Sequence, residues 1–215
     1  KPVPPDTNPS TRSQCNMNYP KLTAMLLAGS LAGCATFRDG PTPAITDWPP
    51  AAGQGKSITL VISGQVINNG KEAEANSNFL KSWSQEINRA YTTSGLFTEV
   101  KSGAQPADIT AEISITDKGE GNQALAFLSG FTFGVLPCKV HEGFIVQTTF
   151  KDKEGKVLGS NEVSEFADTW IQILLLPVTP SKFPVTQYKG LIYDLGRNAV
   201  IDGHAIGCCP IDSRI

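Results

Sequence analysis

In PADITAEISITD, Pro106 to Asp117, the residues Ile109, Ala111, Ile113 and Ile115 alternate with polar neighbours. A strand turns successive side chains to opposite faces, so this pattern predicts a strand with one buried and one wetted side. It constrains the fold strongly, because a half-buried strand needs partners beside it and a second layer over its apolar side. Ile58, Leu60 and Ile62 in SITLVISGQV repeat the pattern, with Val61 on the other face, and LFTEV reads as a further short strand.

The covering layer is equally legible. Leu80, Trp83, Ile87, Ala90 and Tyr91 recur at three- to four-residue spacing within residues 73–94 and form one helical stripe. Gly95 suits the left-handed residue that ends such a helix. A second stripe, Tyr188, Leu191, Ile192, Leu195 and Ala199, runs over 185–201 behind Pro184, a favourable first residue. Gly196 inside it weakens the helix by about 1 kcal/mol relative to Ala. Between the stripes, Phe144, Val146, Thr148 and Phe150 share one strand face, DKEG supplies a turn, and Val157 starts a return strand. The order β-α-β-β-β-β-α predicts an α+β fold: a mainly antiparallel sheet with two helices packed on one face.

The 215 residues suit one domain plus a leader or tail, and 40% hydrophobic content supplies a core. With 18% charged residues and a net charge of −2, nothing points to a nucleic-acid partner. No apolar run reaches the roughly 18–20 residues that cross a bilayer as a helix.

Ahead of the domain, MNYPK from Met17 is a short polar segment with one positive charge, LTAMLLAGS is a compact apolar run, and LAGC closes it. That sequence of segments marks export. LAGC resembles the bacterial lipobox, with Leu31, Ala32 and Gly33 preceding Cys34. The resemblance implies diacylglyceryl transfer to Cys34, cleavage before it, and acylation of the new amino terminus. Ala35 rather than Asp follows the cysteine, which by the same resemblance points to the outer membrane, with the protein facing the periplasm. Stable anchoring takes more than one acyl chain, a requirement this lipid meets. Residues 1–16, polar and rich in Pro, read as an over-extended or foreign leader, residues 17–33 as the signal peptide, and residues 34–56 as a lipidated flexible tether, since Pro and Gly interrupt it. Trp48 in that tether either docks on the domain or touches the membrane. The domain spans 57–203, and residues 204–215 form a frayed tail.

Cys138, Cys208 and Cys209 remain. A bridge from Cys138 to one of the adjacent pair, or a tail with free thiols, both stay open. Together with His141 and His204 they make no zinc pattern. No metal or cofactor is expected beyond the covalent lipid on Cys34.

ALAFLSGFTFGVLP, Ala124 to Pro137, and WIQILLLPV, Trp170 to Val178, are the most apolar stretches after Cys34. They either extend the hairpin through the core as strands or buried connectors, or form an exposed pair that meets the bilayer or a membrane protein. On the second reading Phe127, Phe131, Phe133, Trp170, Leu174 and Leu175 are the candidate interface, with Gly130 and Gly134 at small-xxx-small spacing.

Catalytic signals are sparse. On a strand, His141 lies three residues past Cys138 and faces the other way. Glu142, Glu162 and Glu165 would serve acid–base chemistry only if the hairpin brought them together, and solvated strand charges are commoner. There is no G-x-S-x-G, Walker A or G-x-G-x-x-G sequence. The chain is expected not to be an enzyme.

SGLFTEV, Ser94 to Val100, followed by PADITAEISI, Pro106 to Ile115, resembles small envelope lipoproteins with a helix-on-sheet domain. These include the lipopolysaccharide-assembly lipoprotein, the amino-terminal domain of the Tol-system periplasmic protein and the curli-secretion lipoprotein. The resemblance covers residues 57–117 and carries no catalytic residue. SGFTFGVLP also resembles a GLTLGLIP-type stretch of uncharacterised proteobacterial lipoproteins. Two function classes follow. One is a lipid-anchored, non-catalytic accessory module of an envelope assembly, transport or secretion complex, with an envelope protein or a second copy as partner. The other is a periplasmic carrier of a lipid-like ligand held in a pocket between helices and sheet.

Overall fold

The alternating segments become the centre of a mixed sheet in the computed structural model, which describes residues 33–42, 45–49 and 55–205. The strands are β1 (Cys34–Arg38), β2 (Lys56–Asn68), β3 (Lys71–Glu74), β4 (Phe97–Ser102), β5 (Ile109–Gly121), β6 (Cys138–Asp152) and β7 (Val157–Ile171). The helices are α1 (Ser77–Thr93), α2 (Gln123–Phe131) and α3 (Pro184–Ala205), with a 3-10 turn at Ile173–Leu175. The strand order is β1-β7-β6-β5-β2-β3, and β4 also pairs with β2. β2 runs parallel to β4 and β5, and the other pairings among the described residues are antiparallel. The fold is α+β, with helices on a mostly antiparallel open sheet, as the periodicities predict.

Register carries the alternation across the sheet. Ile58 stands beside Ile109 and Leu60 beside Ala111, while Ile115 faces Val146. Their inner face receives Trp83, Ile87 and Tyr91 of α1 and Leu191, Ile192 and Leu195 of α3, all buried. Fully burying one such side chain stabilises by about 1.5–3 kcal/mol. Asn76 caps α1, its side-chain oxygen accepting from the N–H groups of Asn78 and Phe79 at 3.0 and 3.1 Å. Gly95 follows with φ +67°, and Gly155 closes the β6–β7 turn with φ +83°.

Several boundaries differ from the periodicity. The first helix starts at Ser77 rather than residue 73, because KEAE turns back along β2 as β3. Residues 34–38 are not tether. CATFR contains neither Gly nor Pro, and it pairs with β7 from Cys34↔Ile171 to Arg38↔Ala167. Ala35 and Thr36 are fully buried there. Trp48 docks on the domain: it packs on the core, its Nε1 donates to Thr93 Oγ1 at 3.4 Å, and the Arg197 guanidinium lies 5.4 Å from its ring. α3 runs on to Ala205 and includes His204, which the sequence places in the tail. Residues 1–32 and 206–215, with Leu31, Ala32, Cys208 and Cys209, lie outside the described residues.

Candidate functional site

The two apolar stretches form one end of the domain. Residues 123–137 and 170–181 contain no Asp, Glu, Lys, Arg or His. Asn122 opens α2, its side chain accepting from the Leu125 N–H at 3.0 Å. Phe133 (φ +54°) and Gly134 (φ +77°) then end the helix in left-handed backbone, and the Gly134 N–H donates to the Ser129 carbonyl at 2.7 Å. A glycine tolerates this conformation at no steric cost. The reversal meets the second stretch, where the Ile173 N–H donates to the Gly134 carbonyl at 2.9 Å. One residue earlier, the Gln172 N–H donates to the Gly33 carbonyl at 2.8 Å. Cys34 therefore begins β1 at the same end of the sheet as both apolar stretches.

Neither stretch is core. Phe127, Phe131 and Leu174 are 73%, 76% and 75% exposed, and Phe133 is exposed beside them. Trp170 and Leu175 are half-buried. The strand-extension reading holds for Trp170 and Ile171, the last residues of β7. It fails for 123–131, whose backbone closes into a helix that satisfies its own polar groups without a neighbouring strand. The small-xxx-small reading fails as well: Gly134 sits in the turn, and a Cβ on Gly130 would meet nothing within 4 Å. Around the rim, Lys139 Nζ lies 5.7 Å from the Trp170 ring and Lys182 Nζ 5.9 Å from that of Phe37.

Cys34 is half-buried and burial pushes its thiol up; Cys138 is buried, and neither is disulfide-bonded. Both lie opposite Ile171, on either side of β7, which puts them two strand spacings, about 10 Å, apart and beyond bridging reach.

A second feature escaped the sequence reading. A cavity of about 270 Å³ lies between α1, α3 and the inner face of β5 and β6, lined by Phe79, Trp83, Asp117, Glu142, Phe144 and Tyr188 among others. Burial pushes Asp117 up to about 6. Burial, with the Asp117 charge adding to it and that of His141 opposing, pushes Glu142 up to about 7. Asp117 Oδ1 is buried without a hydrogen-bond partner. Tyr188 donates its hydroxyl to Glu142 and contacts Thr169 Oγ1 at 2.5 Å, which in turn meets Thr36 Oγ1 at 2.8 Å. Such a pair takes up and releases protons near neutrality. The signal was available, because Asp117 and Glu142 occupy inward positions of two alternating strands.

The other polar candidates do not converge. Glu142 and Glu165 face the helices, and Arg38 lies 3.6 Å from Glu165. Glu162 faces the opposite side and accepts from Gln147 Nε2 at 2.7 Å. His141 is on that outer side too, paired with Asp168 at 2.7 Å, while Cys138 faces inward, as their spacing predicts. The first apolar stretch reaches the cavity's neighbour: Gln123 and Ala126 line an adjoining cavity of about 280 Å³ that shares Phe79, Asp117 and Glu142 with it.

No protein-family model and no curated protein matches the chain. Among solved structures it is similar to a minor lipoprotein from Acinetobacter baumannii, at 12% identity and TM-score 0.42, over 74% of this chain and 96% of that one. It is also similar to a PelC variant, solved as a dodecamer, from Paraburkholderia phytofirmans, at 10% identity and TM-score 0.32, over 78% of this chain and 95% of that one.

Proposed function

We propose that this chain is a lipid-anchored protein of a bacterial outer membrane, facing the periplasm, and acts as a non-catalytic accessory module of an envelope assembly, transport or secretion complex. One observation carries the reading: Cys34, last residue of the LAGC sequence, starts a strand beside a charge-free apolar end. An exposed apolar patch of this kind marks a contact surface. The acidic groups and His141 supply no converging nucleophile and base, so the reading assigns no catalytic residue.

Intact mass of protein extracted from membranes, beside Cys34→Ser, tests the anchor. A mass that begins at Cys34 and includes acyl groups supports it. An unmodified mass that begins upstream overturns it, along with the envelope placement. Crosslinking in intact envelopes then tests the partner, and a discrete adduct to one envelope protein or to a second copy is the expected result.

The carrier reading has the cavity in its favour. At about 270 Å³ it lies just below the roughly 300–1,000 Å³ of pockets for drug-sized ligands. An adjoining cavity of about 280 Å³ shares Phe79, Asp117 and Glu142 with it, so the two together offer room for an acyl chain. Lipid that co-purifies and is lost with Phe144→Asp would favour this second function.

A further inference from the structure

We propose that the α2 end of the domain seats itself in the headgroup–acyl boundary of the bilayer that holds the Cys34 lipid, as a second contact beside the anchor. The inference rests on the lipid-anchor reading and names the occupant of the apolar end.

The first support is the missing spacer. β1 begins at Cys34, and Ala35 and Thr36 are already fully buried in the sheet. A lipid on Cys34 therefore leaves the protein at the domain itself, and this end cannot stand away from the membrane. The side chains held there are Phe127, Phe131, Phe133, Val135, Leu136 and Leu174, all exposed.

The backbone suits the site. Unpaired N–H and C=O groups are excluded from a bilayer interior, and a helix closes its own. α2 has nine residues, and its ends are tied by Asn122 and by the Gly134–Ser129 bond. No helix among the described residues is long and apolar enough to cross a membrane, so α2 would lie in the interface. Trp170 and Phe37 put aromatic rings at the rim, as in the aromatic belt of membrane proteins. Lys182 over Phe37 adds a cation for anionic headgroups, whereas Lys139 over Trp170 is already paired with Asp168 at 2.7 Å.

Processing at Cys34 fits the same geometry. Cleavage removes Gly33, whose carbonyl accepts from Gln172. Transfer of an acyl group from a phospholipid ester to the Cys34 amine, which breaks the ester and releases the lysophospholipid, restores an amide carbonyl at the same bond. The unbranched acyl chain takes the path of Gly33. A side chain could not follow it: a Cβ on Gly33 would stand 2.6 Å from the Leu176 backbone nitrogen.

Full-length protein, carrying benzoylphenylalanine in place of Phe131, Leu174 or Val61, would be purified lipidated and reconstituted in phosphatidylethanolamine–phosphatidylglycerol vesicles. Val61 lies on the outer face of the sheet and serves as control. Illumination is expected to yield lipid adducts at 131 and 174 and none at 61. Intact mass of the same samples reads the state of Cys34. Acylated Cys34 without lipid adducts at 131 and 174 overturns the docking and leaves the anchor standing. Adducts at these positions to a second copy, or in cells to another protein, also overturn it. An unmodified Cys34 overturns the anchor, and the docking with it.

Discussion

Tyr188 of α3 donates its hydroxyl to Glu142 of β6 across the cavity that also holds Asp117. The two carboxyls titrate at about 7 and about 6 in the fold, against roughly 4 in an unfolded chain. Between those values the folded state keeps protons that the unfolded state has released. Stability therefore falls as pH rises from about 4 to about 7 and levels off above that. Glu142→Gln combined with Asp117→Asn removes both titrations. The melting temperature of the parent is expected to drop by several degrees between pH 5 and pH 8, and that of the double variant much less. Thermal unfolding followed by circular dichroism at both pH values checks this, and equal slopes would show that the pair is not proton-coupled to folding.

The two long helices meet through a glycine. A Cβ on Gly196 would stand 2.9 Å from the Ala90 Cβ and 3.1 Å from Ile87 Cδ1. Helix propensity favours Gly196→Ala by about 1 kcal/mol, whereas overpacking of this kind costs about 1–3 kcal/mol. The clash is with a short, buried side chain that has nowhere to turn, so the second effect wins. Gly196→Ala is expected to destabilise by about 1 kcal/mol in denaturant titration. Adding Ala90→Gly, which vacates the contact, is expected to return part of the loss.

Phe131 separates surface from core. Its side chain is 76% exposed at the last residue of α2. A glutamate there meets the negative end of a short helix, worth about 0.3–1 kcal/mol, and little else changes. Phe131→Glu should therefore lower the melting temperature by no more than about 4 °C and raise the solubility of the unlipidated protein. Global unfolding of the variant would return the segment to the core.

These contrasts show where the sequence was legible. β2, β5, β6, α1 and α3 each bury one face, so Ile109–Ile115 and Trp83–Tyr91 print their periods in full. α2 is apolar on every side, and an all-round apolar run reads equally as strand or buried helix. Its exposure runs against the usual burial of Phe and Leu, so no local rule would find it. β1 is five residues long, and the prolines and glycines that follow it hid its pairing. Asp117 and Glu142 sat in plain view at inward strand positions. Only the β5–β6 register, which sets Asp117 opposite Phe144, brings them into one cavity.

Arg38 tests whether the segment after Cys34 belongs to the domain. Its Nη1 lies 2.6 Å from Asp194 of α3 and its Nε 3.6 Å from Glu165 of β7, whose side chain is only 5% exposed. Arg38→Ala leaves the Glu165 carboxylate in the sheet–helix layer without its cation. Breaking a fully buried pair costs about 3–5 kcal/mol. Arg38 is 28% exposed, and Arg197 also pairs with Asp194 at 2.7 Å, so solvent and the second arginine screen part of that loss. A destabilisation of about 2 kcal/mol is expected, a fall of roughly 4–8 °C in melting temperature for a domain of this size. Glu165→Gln in the same chain removes the stranded charge and is expected to recover part of the stability. If residues 34–38 were a free tether, Arg38→Ala would leave the melting temperature unchanged, and Cys34 would hold its lipid at a distance from the apolar end.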